Sequence, residues 1–204
     1  MCRNRKYLTF NANYTFSKVI DNGTFTTFVS TPQSNAQRNL ERSLSNQDVR
    51  QRFVANFVAS APQSSFLRNF DFSSIITAQS PRPFTVLVGF DANNDGNPVT
   101  DRVGTFGRNT YFGDDERVWD MRLSHMIHLP GERYKLQIMG DIFNSLNRAN
   151  YDEVYTVYGA PDLIGTAIPH HYLDGVTSPA NSSFGSPRTA LNPRQAQLAA
   201  KFIF

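Results

Sequence analysis

The sequence predicts an all-β, antiparallel fold, and three observations carry that prediction. Apolar and polar residues alternate with a period of two over six separate stretches, the pattern of strands with one apolar face. No stretch of comparable length shows the spacing of a helical stripe. The connections between the stretches are alternately long and short.

The first stretch sets Leu8, Phe10, Ala12, Tyr14 and Phe16 against Thr9, Asn11, Asn13, Thr15 and Ser17. The second puts Val49, Phe53, Ala55, Phe57 and Ala59 on one face, with Gln51 as an exception; Arg50, Arg52, Val54, Asn56, Val58 and Ser60 take the other. The third pairs Phe70, Phe72, Ile76 and Ala78 against Asn69, Asp71, Ser73, Thr77 and Gln79, and is expected to resume as Phe84, Val86 and Val88. Trp119, Met121, Leu123, Ile127 and Leu129 mark the fourth, with His125 interrupting the row and His128 on the polar side. Tyr134, Leu136, Ile138 and Ile142 mark the fifth, and Ala196, Leu198, Ala200, Phe202 and Phe204 the last. Arg50, Arg52, Asp71, Asp120, Arg122, Lys135, Asp141 and Lys201 fall on the polar faces, where a wall of cross-strand ion pairs is expected.

Composition narrows the setting. Of 204 residues, 40% are hydrophobic and 18% charged, against roughly 45–50% and roughly 25% in ordinary globular chains. No apolar run is long enough for a transmembrane helix. The single cysteine, Cys2, excludes a disulfide scaffold and CxxC-type zinc sites. A net charge of +3 spread along the chain is no nucleic-acid footprint, and the start of the chain lacks an apolar stretch of signal-peptide length.

Turns of hairpin length separate the second from the third stretch and the fourth from the fifth. The other three gaps run to about 30 residues or more, longer than compact soluble domains use. An outer-membrane β-barrel sorts its connections in this way, with short periplasmic turns and long extracellular loops. The apolar rows then face lipid and the polar rows the lumen.

Four segments carry a family resemblance. Residues 41–53 (ERSLSNQDVRQRF) resemble the "ERG-x-SD-x-DVRHRF" block of TonB-dependent, Oar-like outer-membrane receptors. Residues 77–84 (TAQSPRPF) resemble that family's "TAQSGRPF", and 141–151 (DIFNSLNRANY) its "E-x-FNLFNRTNF". The closing residues 193–204 (PRQAQLAAKFIF) are similar to its "PRQ-x-Q-x-x-x-(K/R)-x-x-F". The chain departs from these patterns at Ser43, Asn46, Gln51 and Pro81, and the resemblance runs from about Asn11 to Phe204.

The resemblance implies a barrel of about 22 strands preceded by a plug domain. Residues 1–204 are then expected to be the C-terminal part of such a barrel, about six strands of it, with the plug and the earlier strands absent. Six strands are fewer than the eight of the smallest barrels, and open edges in lipid leave backbone groups unpaired at several kcal/mol each. The expected function is that of a transporter segment in the cell outer membrane. The barrel would bind an unknown extracellular ligand and import it when energised through a TonB-type protein acting on the missing N-terminal part.

Particular residues follow from this. Phe204, with Phe202, Leu198 and Ala196 at two-residue steps, resembles the signal read by the barrel-assembly machinery. Tyr111, Phe112, Tyr155, Tyr158 and Tyr172 lie in the long loops, as ligand-facing aromatics or as loop packing. Asp91, Asn93 and Asp95, followed by Gly96, match the first half of a calcium loop, but Arg102 stands where the bidentate Glu belongs; a ligand from elsewhere, such as Asp101, would be needed, and no metal is assigned. The loop histidines His170 and His171 are not read as ligands. Ser124 and His128 stand about 13 Å apart along one strand, too far for a proton relay. No enzyme activity and no cofactor are expected; the partners are outer-membrane lipid, the assembly machinery and the ligand. Two alternatives remain: a self-assembling pore or adhesin barrel, and a soluble carbohydrate-binding β-sandwich.

Overall fold

The computed structural model of the chain describes residues 2–5, 7–23, 32–97, 99–103, 106–130, 134–159 and 182–204. Among these residues the strands run, in chain order, β1 Cys2–Arg5, β2 Leu8–Phe16, β3 Ile20–Asp21, β4 Ser43–Leu44, β5 Gln51–Ser60, β6 Phe70–Gln79 and β7 Pro83–Phe84. They continue as β8 Tyr111–Phe112, β9 Glu116–His128, β10 Lys135–Phe143, β11 Tyr151–Val154, β12 Pro187–Ala190 and β13 Gln195–Ile203. A short 3-10 segment, Asn35–Glu41, is the one helical piece among the described residues.

One sheet dominates, with strand order β1-β2-β5-β6-β9-β10-β13 and antiparallel pairing throughout. Its six long members overlap the six predicted stretches. The additional strand, β1, pairs Arg3 with Phe10 and Arg5 with Leu8. Its residues Cys2, Asn4, Arg3 and Arg5 carry no apolar alternation, so periodicity passes over it. The sheet is open: β1 and β13 are its edges, and among the described residues neither outer edge is paired.

Register lines the predicted faces up across the sheet. Phe10 lies opposite Phe57, Phe57 opposite Ser74, Ser74 opposite Met121, Met121 opposite Ile142 and Ile142 opposite Ala196. The next row reads Leu8, Ala59, Phe72, Leu123, Gly140 and Leu198. A one-residue slip in any strand would turn these rows inside out, so register is strongly specified. Phe57 packs against Phe72 with ring centroids 5.5 Å apart, and His125, the interruption in the row, stacks on Phe70 at 4.1 Å. The two polar groups in the middle of this face satisfy each other, since the Trp119 indole N–H donates to Ser74 Oγ at 2.6 Å.

No second sheet covers the apolar face among the described residues. Leu8, Phe10, Leu123, Ile138 and Leu198 are all exposed, and Ala55 is the single hydrophobic sheet residue that is buried. A sheet of this kind in water would need a partner layer, as in a sandwich, and the described residues supply none.

The polar face corrects one expectation. Of the eight charged residues foreseen there, Arg122 and Asp141 form the one ion pair between strands of the large sheet among the described residues, directly opposite each other and bidentate at 2.5 and 3.1 Å. Register explains the shortfall: Arg52 faces Thr15 and Gln79, Asp71 faces Ser60 and Ser124, and Lys135 faces His128 and Ile203. A second correction concerns Val86 and Val88. They do not prolong β6, but are buried in a separate core formed by the loops.

Candidate functional site

The strand directions bring the connections β2–β5, β6–β9 and β10–β13 out at one end of the sheet, opposite the short connections β5–β6 and β9–β10. The described residues of the long connections carry structure of their own. They fold into three two-stranded ribbons, β3–β4, β7–β8 and β11–β12, that join into a cap.

Ion pairs sew the first connection to the second. Arg102 donates to both carboxylate oxygens of Glu41, at 2.9 and 2.8 Å, with each side chain only 6% exposed. Arg108 donates to the Glu41 carbonyl at 3.0 Å, to the Asp21 carbonyl at 2.9 Å and to the Asp21 carboxylate. Asn109 adds a bond to the Leu44 carbonyl at 2.7 Å. A buried pair of this kind is costly to break, because removing one partner strands the other charge in a dry site.

Apolar packing joins the second connection to the third. Val86, Val88, Val103 and Tyr158 form the buried core, with Phe84, Phe90, Tyr111 and Phe184 against it. Phe184 meets Tyr158 and Tyr111 edge-on at 5.1 and 6.3 Å. Backbone bonds run alongside, from Leu87 N–H to Thr156 at 3.0 Å and from Tyr158 N–H to Leu87 at 2.8 Å. Gly89 is required at this junction: its φ is +85°, and a Cβ there would come within 2.6 Å of Val157.

Asp115 anchors a third seam, accepting from Arg148 at 2.7 Å and Arg117 at 2.5 Å. Buried Asn150 accepts from the Arg117 amide at 2.8 Å and donates to the Arg117 carbonyl at 3.0 Å. Asp48 accepts from the Val19 amide at 2.6 Å, and Asn144 ties the Arg148 and Asn192 carbonyls together at 2.9 and 3.3 Å. The residues that carried the resemblance in 41–53 and 141–151 therefore build the cap's joints.

The aromatics singled out from sequence divide. Tyr158 is buried and Tyr111 half-buried in the cap core, where they serve packing. Phe112 and Tyr155 are exposed. Tyr172 lies outside the described residues, as do His170 and His171. Beneath the cap, where it meets the sheet, a cavity of about 590 Å³ is lined by residues including Phe84, Asp114, Glu116, Asp152, Tyr155 and Arg188. Its size and mix of aromatic and charged walls suit a small-molecule ligand. Glu116 is held by Gln79 at 2.6 Å, and Glu153 pairs with Arg188 at 3.7 Å. Sequence reasoning did not foresee Glu41, Arg108 or Asn150 as organisers of this end.

At the other end, Phe202 and Phe204 stack at 6.3 Å and Tyr134 lies on Phe202 at 5.8 Å, while Phe204 remains 89% exposed. Leu198 and Ala196 share their face, also exposed.

Two carboxylates in the cap set its response to acid. Burial pushes the Asp21 carboxyl up, but hydrogen bonds from Ser45 and Arg108 and the Arg108 charge outweigh it and hold the group below its ordinary range. Burial likewise raises Asp115, and the bonds and charges of Arg117 and Arg148 bring it below. A depressed carboxylate contributes stability above its unfolded pKa, about 3.9, and that contribution is lost as pH falls through the lower folded value. Acidification below about pH 4 is therefore expected to loosen the first and third seams, read as new protease cleavage in 17–50 and 144–159 with the sheet strands still protected.

A family model described as an outer membrane beta barrel domain matches residues 2–103 and 97–197, nearly the whole chain. No curated protein and no solved structure matches it. With its open antiparallel sheet, its uncovered apolar face and its loops gathered at one end, the chain belongs to the outer membrane beta barrel domain family and resides in the outer membrane.

Proposed function

We propose that the chain is the C-terminal barrel segment of a TonB-dependent outer-membrane transporter that binds and imports an extracellular ligand. The observation that carries this reading is the stitched cap over a 590 Å³ cavity, built by the same segments that resemble the receptor family. A simple structural barrel needs no such joined loops; a ligand-capturing one does, because its loops must hold a preformed concave face. The two unpaired edges support the reading further, since in lipid each must meet another strand. In this proposal, strands preceding β1 complete the wall, a plug fills the lumen and contacts the energising TonB-type protein, and the exposed Phe204 row addresses the assembly machinery. The chain catalyses no reaction.

The test is the genomic DNA upstream of the first codon together with the behaviour of the isolated chain in planar bilayers. The reading expects an in-frame continuation encoding further alternating strands and a plug, and no stable conductance from residues 1–204 alone. A promoter and ribosome-binding site directly before Met1, with heat-sensitive conducting oligomers, would overturn it in favour of a self-assembling pore.

A further inference from the structure

We propose that the cap carries a calcium site made by Asp91, Asn93 and Asp95 together with Asp101. The first three occupy positions one, three and five of an oxygen-donor loop, and Gly96 at position six makes the sharp turn with φ +85°. Such spacing is common in Asn- and Asp-rich turns, and by itself it assigns nothing.

The independent observation is Asp101, which lies outside that run. Its side chain is fully buried, at 0% exposure. Its Oδ2 is clasped by the amides of Ala92 and Asn93, at 2.6 and 3.2 Å, which fixes the carboxylate against the loop between the first and third donor positions. Its Oδ1 is buried without any hydrogen-bond partner. Among the described residues no Lys, Arg or His pairs with Asp91, Asp95 or Asp101. Buried polar atoms are almost always partnered, and a buried carboxylate oxygen with neither a hydrogen bond nor a countercharge calls for a cation.

The donor chemistry selects the ion. Carboxylate and amide oxygens on an irregular loop suit calcium, which accepts six to eight ligands in flexible geometry, better than magnesium, which demands a near-ideal octahedron. No three His, Cys, Asp or Glu side chains already converge among the described residues. The proposal thus requires the ion to draw the carboxylates together on binding, with loop carbonyls and water completing its shell. Two bonds place the site at a junction of the cap. Asn93 donates to the Gln33 carbonyl at 2.7 Å, reaching the first connection, and the Asp101 carbonyl accepts from Val88 in the loop core at 3.0 Å. Occupancy would stiffen both contacts, whatever ligand the barrel transports.

The experiment titrates calcium, and in parallel magnesium, into the full chain in detergent, following heat of binding and protease resistance of the cap. Calcium is expected to bind with a Kd of about 10⁻⁴–10⁻³ M, the range of extracellular calcium modules, and magnesium not to replace it. Asp95→Asn and Asp101→Asn are each expected to weaken calcium at least about tenfold, since the charge count of the ligands sets affinity. Asp101→Asn should also reverse sign between conditions. In EDTA its cap resists protease as well as or better than the parent's, because a buried charge is gone; in calcium it resists less. Absence of calcium binding by the unaltered chain up to about 10 mM overturns the proposal, as does equal binding of magnesium. Undiminished affinity in a folded Asp101→Asn chain overturns it too.

Discussion

Replacing Glu41 by alanine is expected to detach the first connection from the rest of the cap. The substitution removes both bonds that hold Arg102 and leaves its guanidinium, 6% exposed, without a carboxylate. Arg108 loses the second acidic group near it, at 4.0 Å, and keeps Asp21 alone. Breaking one side of a buried pair costs about 3–5 kcal/mol, because the surviving charge is neither solvated nor balanced. Among the described residues no exposed pair approaches this; Arg188 with Glu153, both more than half exposed, is of the class worth less than about 1 kcal/mol. The measurement is limited proteolysis of residues 32–50 beside thermal unfolding of the cap, comparing Glu41→Ala with Glu153→Ala. Equal sensitivity of the two variants would show that the Glu41 joint bears no special share of the cap's stability. The double variant Glu41→Met/Arg102→Met should recover much of the loss, since an apolar pair of similar bulk leaves no stranded charge.

Introducing arginine at Leu123 and at Ile75 should give opposite results from nearly identical starting points. Both are apolar, lie near the middle of their strands and are about half exposed, at 51% and 50%. They differ in face. Leu123 stands in the row with Phe72 and Gly140, whereas Ile75 stands opposite Asn56 and Asp120. A charge on the lipid side of a barrel near its midplane costs about 2–4 kcal/mol, while lumen positions accept it. Leu123→Arg is thus expected to lower urea resistance and membrane level of the barrel carrying it, and Ile75→Arg to leave both nearly unchanged. If Ile75→Arg proved the damaging one, the faces would be inverted and the apolar rows would look inward. A simple exposure argument, by contrast, expects no difference between the two.

Much of the sheet was legible because its physics is local. Leu8 to Phe16 alternate along one strand, and the alternation alone says which side chains share a face. Register is not local, yet the rows meet because every strand brings its own apolar set to the same side. Two features escaped for definite reasons. β1 has arginines where an apolar row would be expected, so the period-2 test is blind to it. Val86 and Val88 alternate as a strand would, but burial inside a loop core and burial on a sheet face produce the same pattern, and the sequence does not distinguish them. The cap was less legible still. Glu41 and Arg102 lie 61 residues apart, and nothing in the neighbourhood of either announces the other. The sequence offers Asp101 as a donor from outside the calcium-like loop, but only its burial and its orphaned oxygen give that role physical content. Of the aromatics, position in the long loops singled out Tyr158 and Tyr155 alike; three-dimensional packing put the first inside and left the second exposed.

The water-excluded interior of this chain sits in its loops, around Val86, Val88, Val103 and Tyr158, while the sheet has none of its own. Its two halves are consequently sorted by different solvents. Detergent or lipid must be present before the strands have anything to hide their phenylalanines in, whereas the cap condenses in plain water by the usual expulsion of apolar surface. Bilayer thickness acts on the first process and not on the second, so a single melting temperature describes neither.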